Sequence, residues 1–138
     1  MTKIGFIGLG NMGSAAARNL QRAGFNLTVH DLRKVAAEKL LANGAQWADS
    51  PTETINQVEI IITMVIGPKE ISQVMRGEQG LLAGDCRGKL WIDLTTSSPT
   101  LMRQLAAEFE AAGGVTVDSP VTGSVDSAIR GDMIMFVG

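Results

Sequence analysis

Three glycines near the amino terminus have the spacing that binding of a dinucleotide pyrophosphate requires. Gly8, Gly10 and Gly13 follow the apolar run at residues 4–7. We predict that Gly8 permits a tight turn, that Gly10 lets backbone approach a phosphate, and that Gly13 lets a helix lie close to a sheet. Asp31 follows a second apolar run, where its carboxylate can accept hydrogen bonds from the hydroxyls of a ribose.

The flanking sequence supplies the elements that would position these residues. A strand precedes the glycines, residues 11–23 have helical spacing up to a stop at Gly24, and residues 25–30 form a second strand. The first-turn N–H groups of the helix would then face the phosphates, where the helix dipole favours negative charge. The predicted cofactor-binding residues in this segment are Gly8, Leu9, Gly10, Asn11, Met12, Gly13 and Asp31.

The charge of Asp31 favours NAD over NADP, because a 2′-phosphate would be repelled by the carboxylate. Arg33 and Lys34 follow it directly and partly offset that repulsion. We therefore predict NAD as the cofactor, with NADP less favoured. His30 is the only histidine, and its place at the adenosine end indicates packing or cofactor edge contacts.

The rest of the chain alternates between helical and strand patterns. This order predicts an α/β, Rossmann-type, doubly wound and mainly parallel sheet flanked by helices, forming a single dinucleotide-binding domain over residues 1–138. The predicted helices cover residues 33–43, a short segment beginning at Pro51, 68–75 and 99–112, and the predicted strands cover 45–47, 58–65, 90–94 and 115–118. Ser50 and Ser98, each directly before a proline, are the predicted N-caps of the helices that begin at Pro51 and Pro99.

Ligands of such sheets sit beyond the carboxyl ends of the strands, so we expect Met64 and Val65 to line the cofactor cleft. Thr95 and Thr96 follow the fifth strand, where their hydroxyls would be free to meet a nicotinamide or a substrate. Hydroxyl-rich turns also cap helices without binding anything, and the residues alone leave both roles open.

Composition excludes several functional classes. The net charge is −2, and the 12 basic residues are scattered, so we expect no nucleic-acid partner. The sequence contains no apolar run long enough for a membrane span, and it has no signal-peptide pattern, so we expect a cytoplasmic protein. Its single cysteine, Cys86, allows neither a disulfide framework nor a thiolate metal cluster, and we predict no metal site.

The end of the sequence holds a second group of polar candidates. Residues 119–124 form a turn in which the hydroxyl and backbone N–H groups of Thr122, Gly123 and Ser124 can hold a carboxylate. Five apolar residues at 133–137 then predict a further strand just before the sequence stops. Because termini are usually exposed and polar, we expect the domain to be truncated at its C-terminal end.

Three sequence blocks together resemble the N-terminal NAD-binding domain of the β-hydroxyacid dehydrogenase family, which contains 3-hydroxyisobutyrate dehydrogenase and tartronate semialdehyde reductase. The blocks are GFIGLGNMG at residues 5–13, DLTTSSP at 93–99 and DSPVTGSVDSAIRG at 118–131. The family's substrate motif is usually DAPVSGG. Here Ser119 replaces alanine, Thr122 keeps the hydroxyl of serine, and Ser124 replaces the second glycine, a departure that bears on substrate identity.

The resemblance implies an NAD(P)-dependent oxidoreductase that transfers a hydride between a nicotinamide and a small 3-hydroxy acid or its semialdehyde. It places Thr96 near the nicotinamide and implies a homo-oligomer for the full-length enzyme. The family's catalytic lysine lies on a helix after this domain. None of the lysines here follows the substrate loop, so we expect no catalytic residue in this chain, and we expect the family's all-helical C-terminal domain to be absent.

Two other readings stay open. A stand-alone dinucleotide-binding or sensor domain would bind NAD without turnover, and a gene ending at residue 138 or a hydrophilic surface over residues 119–138 would favour it. A methyltransferase would use the glycine turn for another adenosine ligand. A short-chain dehydrogenase is excluded, because the sequence contains no tyrosine. If a helical domain is missing, we expect an uncovered apolar face near residues 119–138 that promotes association.

Overall fold

A computed structural model describes residues 2–122 and 124–138, and its centre is a parallel sheet of six strands in the order β3-β2-β1-β4-β5-β6. The strands are β1 (Lys3–Ile7), β2 (Asn26–His30), β3 (Gln46–Trp47), β4 (Ile60–Thr63), β5 (Leu90–Asp93) and β6 (Val115–Asp118). The helices between them are α1 (Asn11–Arg22), α2 (Glu38–Ala42), α3 (Pro51–Asn56), α4 (Pro68–Arg76) and α5 (Pro99–Ala111). This strand order is that of the doubly wound dinucleotide-binding fold, as predicted.

The sheet separates two apolar cores, because successive side chains of a strand point to opposite faces. On β4, Ile61 is buried in the core that includes Trp91 and Phe109, whereas Ile62 is buried in the core on the other face. Trp91 and Phe109 meet in a tilted pair with ring centroids 5.6 Å apart. Burial on both faces explains why β4 has an almost continuous run of isoleucine.

Local sequence sets where three of the helices begin. Proline occupies the first turn of α3, α4 and α5, where its missing N–H leaves no bond unmade. The hydroxyl of Ser50 accepts a hydrogen bond from the N–H of Glu53, and that of Ser98 accepts one from Leu101. Both serine caps were predicted from the sequence, and both are confirmed.

Two predicted elements of the main sheet and its flanking helices are clearly shorter than expected. The expected helix at residues 33–43 is a 3-10 turn at Lys34–Ala37 followed by the short helix α2. The expected strand at residues 58–65 is paired only over Ile60–Thr63. The apolar pattern continued past the point where the neighbouring strands end, and a ladder cannot extend beyond its partners.

Beyond the main sheet, the chain forms a small unit that the sequence did not predict in full. Strand β7 (Val121–Thr122) pairs antiparallel with β8 (Ile134–Met135), and helix α6 (Val125–Arg130) lies between them. The expected turn at residues 119–124 therefore contains the short strand β7. The strand expected at 133–137 is observed only at β8, and its side chains are exposed.

Candidate functional site

The glycine turn between β1 and α1 has the geometry that the sequence predicted. Gly8 has a φ of +100°, in the left-handed region that side chains rarely occupy, and a β-carbon there would overlap the carbonyl oxygen of Met64. A β-carbon on Gly13 would overlap the carbonyl oxygen of Gly8. These two glycines are therefore required by the packing of the turn against β4 and α1.

Gly10 is different, since the protein's own packing does not require it. Its backbone is extended, with φ −67° and ψ −170°, and a β-carbon would meet no protein atom within 4 Å. Gly10 precedes α1 as its N-cap and provides no side-chain cap, and the first turn carries no acidic residue. The turn thus leaves open space beside the positive end of a helix, as a phosphate group requires.

Asp31 joins this turn to the end of β2. Its Oδ1 atom accepts a hydrogen bond of 2.9 Å from the N–H of Leu9, and its Oδ2 atom accepts one of 3.0 Å from the N–H of Arg33. Each carboxylate oxygen has lone pairs left for a further donor. The carboxylate is half-buried, and it lines the same cleft as the glycines.

A cleft of about 1210 Å³ runs along the carboxyl ends of the strands. Of the predicted cofactor and substrate residues, it is lined by Gly8, Leu9, Gly10, Met12, Gly13, Asp31, Met64, Val65, Thr96 and Thr122. Asn11 lies instead in a smaller concavity between α1 and α6. Gly123 lies outside the described residues. The structure thus gathers most of the predicted residues from five separate segments into one groove.

Ser124 does not line this cleft. Its hydroxyl accepts a hydrogen bond of 3.2 Å from the N–H of Ser127 and so caps α6. The sequence signal for this cap was the hydroxyl three residues before Ser127, followed by Asp126 in the first turn. In this structure the side chain that replaces the family's glycine has a structural function.

The structure distinguishes the two threonines after β5, whose roles the sequence left open. Thr95 is buried, and its Oγ1 atom accepts a hydrogen bond of 3.1 Å from the N–H of Val65. Thr96 is exposed and lines the cleft. Adjacent residues in extended backbone point in opposite directions, so only one of the two can face the groove.

A buried carboxyl group lies directly behind this wall. Asp93 is fully buried; its Oδ1 atom accepts hydrogen bonds from the Thr63 hydroxyl at 2.7 Å and the Thr95 N–H at 3.1 Å. Its Oδ2 atom has no partner among the described residues. Loss of water raises the pKa of Asp93 to about 6, while the hydroxyls of Thr63 and Thr95 oppose that rise and the nearby Asp118 adds to it.

The cleft also contains residues that the sequence reasoning missed. Lys69 and Gln73 on α4 line it, and Arg33 lies on the opposite wall near Asp31. The available signal was Pro68, which starts a helix directly after the β4 loop and so directs its first turn at the groove. His30, next to Asp31, also lines the cleft, and its Nδ1 atom lies 2.9 Å from the carbonyl oxygen of Ala48.

A metal site and a membrane-spanning helix were also sought in the structure. The described residues contain no group of three or more histidine, cysteine, aspartate or glutamate side chains arranged to hold a metal ion. Within the same part of the chain, no helix is both long and apolar enough to cross a bilayer.

Known proteins share both the sequence and the fold. Mouse mitochondrial 3-hydroxyisobutyrate dehydrogenase is 37% identical over 137 residues, which are 99% of this chain and 41% of that protein. A structure of Mycobacterium tuberculosis 3-hydroxyisobutyrate dehydrogenase with L-serine superposes with a TM-score of 0.90 at 32% identity, over all of this chain and 46% of the other. A third, Psf3 in complex with NADP+ and 2-OPP, has a TM-score of 0.89 at 29% identity over 97% of this chain and 48% of the other.

This chain therefore spans a little under half the length of these relatives, and it matches their nucleotide-binding part. The resemblance to β-hydroxyacid dehydrogenases that the three sequence blocks indicated is confirmed by the 3-hydroxyisobutyrate dehydrogenases among them. The profile of one family matches residues 3–138, nearly the whole sequence. The chain belongs to that family, the NAD binding domain of 6-phosphogluconate dehydrogenase.

Proposed function

We propose that this chain is the cofactor-binding part of an NAD-dependent oxidoreductase that transfers a hydride between the nicotinamide and a small 3-hydroxy acid or its semialdehyde. The observation that carries the proposal is the open space at Gly10. Apart from Gly10 and its two chain neighbours, no protein atom lies within 4 Å of the place that a β-carbon would take there, and the start of α1 faces the same space. The nicotinamide dinucleotide supplies the hydride acceptor, and the residues of this chain hold it in place.

Within the cleft, each part of the dinucleotide has a proposed binding surface. The pyrophosphate lies against Gly10 and the first turn of α1, and the adenosine ribose donates to the carboxylate of Asp31. The nicotinamide lies toward Val65 and Thr96, next to Thr122, whose hydroxyl is placed to donate to a substrate carboxylate. These proposed positions follow the order β2-β1-β4-β5 of the strands whose carboxyl ends border the groove.

We propose NAD rather than NADP because of the charges at the adenosine end. Asp31 presents a carboxylate there, and a 2′-phosphate would bring two like charges together. Of the two following cations, Lys34 lies over the ring of Trp47, 5.6 Å from its centroid, whereas Arg33 lines the cleft. One guanidinium is therefore left to offset the acid, and NADPH is expected to bind more weakly.

The proton donor of the reaction is proposed to lie outside these residues. Of the lysines in this sequence, only Lys69 lines the cleft, and it belongs to α4 rather than to the unit after β6 that holds Thr122. The chain by itself is then expected to bind cofactor without turnover. We also propose that the full-length enzyme is a homo-oligomer and that it is cytoplasmic.

The alternative of a stand-alone sensor domain has less support. A hydrophilic surface over residues 119–138 would favour a stand-alone domain. Ile134, Phe136 and Val137 are instead 61%, 59% and 77% exposed, which suits a face that another domain or chain covers.

The test is a titration of the 138-residue chain with NADH, NADPH and S-adenosylmethionine, followed by tryptophan fluorescence. We expect NADH to bind more tightly than NADPH and S-adenosylmethionine not to bind. A second titration adds 3-hydroxyisobutyrate to the chain with NAD+, and by linkage the acid should tighten NAD+ binding in the wild type but not in Thr122→Val. Failure to bind either dinucleotide would overturn the proposal.

A further inference from the structure

Hydrogen bonds between buried side chains join the carboxyl ends of β4 and β5 just behind the cleft. The indole N–H of Trp91 donates to Thr63 Oγ1 over 2.9 Å, and the Thr63 hydroxyl donates to Asp93 Oδ1 over 2.7 Å. The same carboxylate oxygen accepts the N–H of Thr95 over 3.1 Å. The N–H of Val65 then donates to Thr95 Oγ1, also over 3.1 Å.

This network takes over where the backbone ladder of the sheet ends. The N–H of Met64 still donates to the carbonyl of Ile7, and Leu94 donates to Thr63. Val65 follows Met64 after the end of β4, and its N–H donates to Thr95 Oγ1 instead of to a backbone carbonyl. The Thr95 side chain thereby joins the segments that follow β4 and β5 at the point where the cleft begins.

The composition of the network is informative because a core position normally holds an apolar residue. Trp91, Thr63, Asp93 and Thr95 are all buried, and a carboxyl group without a cationic partner is costly to bury. The directional hydrogen bonds to Asp93 Oδ1 and Thr95 Oγ1 favour one geometry where apolar packing would tolerate several, although Asp93 Oδ2 has no partner among the described residues. Both residues that it fixes, Val65 directly and Thr96 through the adjoining backbone, line the cleft.

We infer that Asp93 and Thr95 are positioning residues for the nicotinamide end of the cofactor. Asp93 holds the backbone of Thr95, and the Thr95 hydroxyl holds the backbone of Val65, so the two walls of the groove keep a fixed separation. Neither residue needs to touch the cofactor. The inference rests on the proposed function, since it assigns the nicotinamide to the groove between Val65 and Thr96.

The neighbouring strand offers a matched control. Thr116 on β6 also has a buried hydroxyl oxygen, and that oxygen has no hydrogen-bond partner among the described residues. Thr95→Val and Thr116→Val make the same chemical change, but only the first removes an acceptor that holds the cleft wall. Both variants of the 138-residue chain are titrated with NADH and with AMP, which carries only the adenosine end of the dinucleotide.

We expect Thr95→Val to raise the dissociation constant for NADH about three- to tenfold, which is the effect of one hydrogen bond, and to leave AMP binding unchanged. Thr116→Val should bind both ligands as the wild type does, and Thr95→Ser, which keeps the hydroxyl, should restore NADH affinity. A merely structural role would lower thermal stability and affect both ligands alike.

Several outcomes would overturn the inference. Wild-type affinity for NADH in a folded Thr95→Val, or equal losses for NADH and AMP, would show that the network does not position the nicotinamide end. If Thr95→Val does not fold, Thr95→Ser is compared with Thr95→Ala, and equal NADH affinities in that pair would also overturn it. A wild-type chain that binds no NADH refutes the proposed function itself, and this inference with it.

Discussion

The N–H of Leu9 donates a 2.9 Å hydrogen bond to Asp31 Oδ1, so the acid at the end of β2 is fixed directly to the glycine turn after β1. Residues separated by the whole of α1 thereby form one surface. The carboxylate that we propose to bind the ribose therefore also stabilises the turn that we propose to bind the pyrophosphate. This double use predicts that changes at Asp31 affect both cofactor choice and the fold.

Asp31→Asn is expected to weaken NADH binding about tenfold or more, because a charge-assisted hydrogen bond to the ribose is lost. The gap between NADH and NADPH should narrow, since the 2′-phosphate no longer meets a carboxylate. The measurement is a calorimetric titration with both dinucleotides. Glu110→Gln removes the same charge from an exposed site on α5 and should change neither affinity. An unchanged NADH:NADPH ratio in Asp31→Asn would argue against this assignment.

Substitutions at two glycines of the turn should affect different properties, with Gly10 needed for cofactor binding and Gly13 needed for folding. Gly10→Ala has room for its methyl group and a compatible backbone, so we expect wild-type thermal stability together with a loss of NADH binding. Gly13→Ala would overlap the carbonyl oxygen of Gly8, and we expect it to destabilise the fold by about 3 kcal/mol or more. Urea denaturation and NADH titration of the two variants check both statements. Normal NADH affinity in Gly10→Ala would show that no phosphate lies against that residue.

Burial of Asp93 makes stability depend on pH. Its folded-state pKa of about 6 exceeds the ordinary value of 3.8, so the folded protein holds the proton more tightly. The resulting stabilisation is complete below about pH 4 and is lost as the pH rises through about 6, an effect of about 3 kcal/mol for a shift of roughly two pKa units. Burial also raises the pKa of Asp118, with the same sign.

The check is urea denaturation between about pH 4 and pH 8 for the wild type and for Asp93→Asn, whose amide does not ionise. Subtracting the two profiles removes the contributions of the other carboxylates. The difference should decline with rising pH across the range near 6. A flat difference would mean that Asp93 keeps an ordinary pKa in the folded protein.

The apolar surface formed by α6 and the residues after it should promote association. Ile129, Ile134, Phe136 and Val137 are between 51% and 77% exposed. We expect the 138-residue chain to associate as its concentration rises, and Ile134→Ser combined with Phe136→Ser to lower the association constant about tenfold. Sedimentation equilibrium measures this. Val115→Ser removes a side chain of similar exposure at the other end of the sheet and should have no effect.

The sequence alone determined most of the fold, because its signals are local. Glycine spacing, the isoleucine run of β4 and the Ser-Pro starts of α3 and α5 each depend on neighbouring residues. Each predicted the right type of element, although β4 is shorter than its apolar run. The glycine turn and Asp31 were likewise predicted as parts of one site, since their separation is fixed by a single helix. The 3-10 turn before α2 and helix α6 were missed, since short elements carry few residues of pattern.

Only the tertiary structure decided which side chains of the later segments face the groove. Thr95 and Thr96 are chemically equivalent in the sequence. In the structure Thr95 is a buried acceptor for the N–H of Val65, which follows the neighbouring strand β4, whereas Thr96 lines the cleft. The packing of elements likewise decides that Lys69 lines the groove and that the Ser124 hydroxyl caps α6. Such contacts join residues from separate segments, and their directions depend on how strands and helices pack, which local sequence does not record.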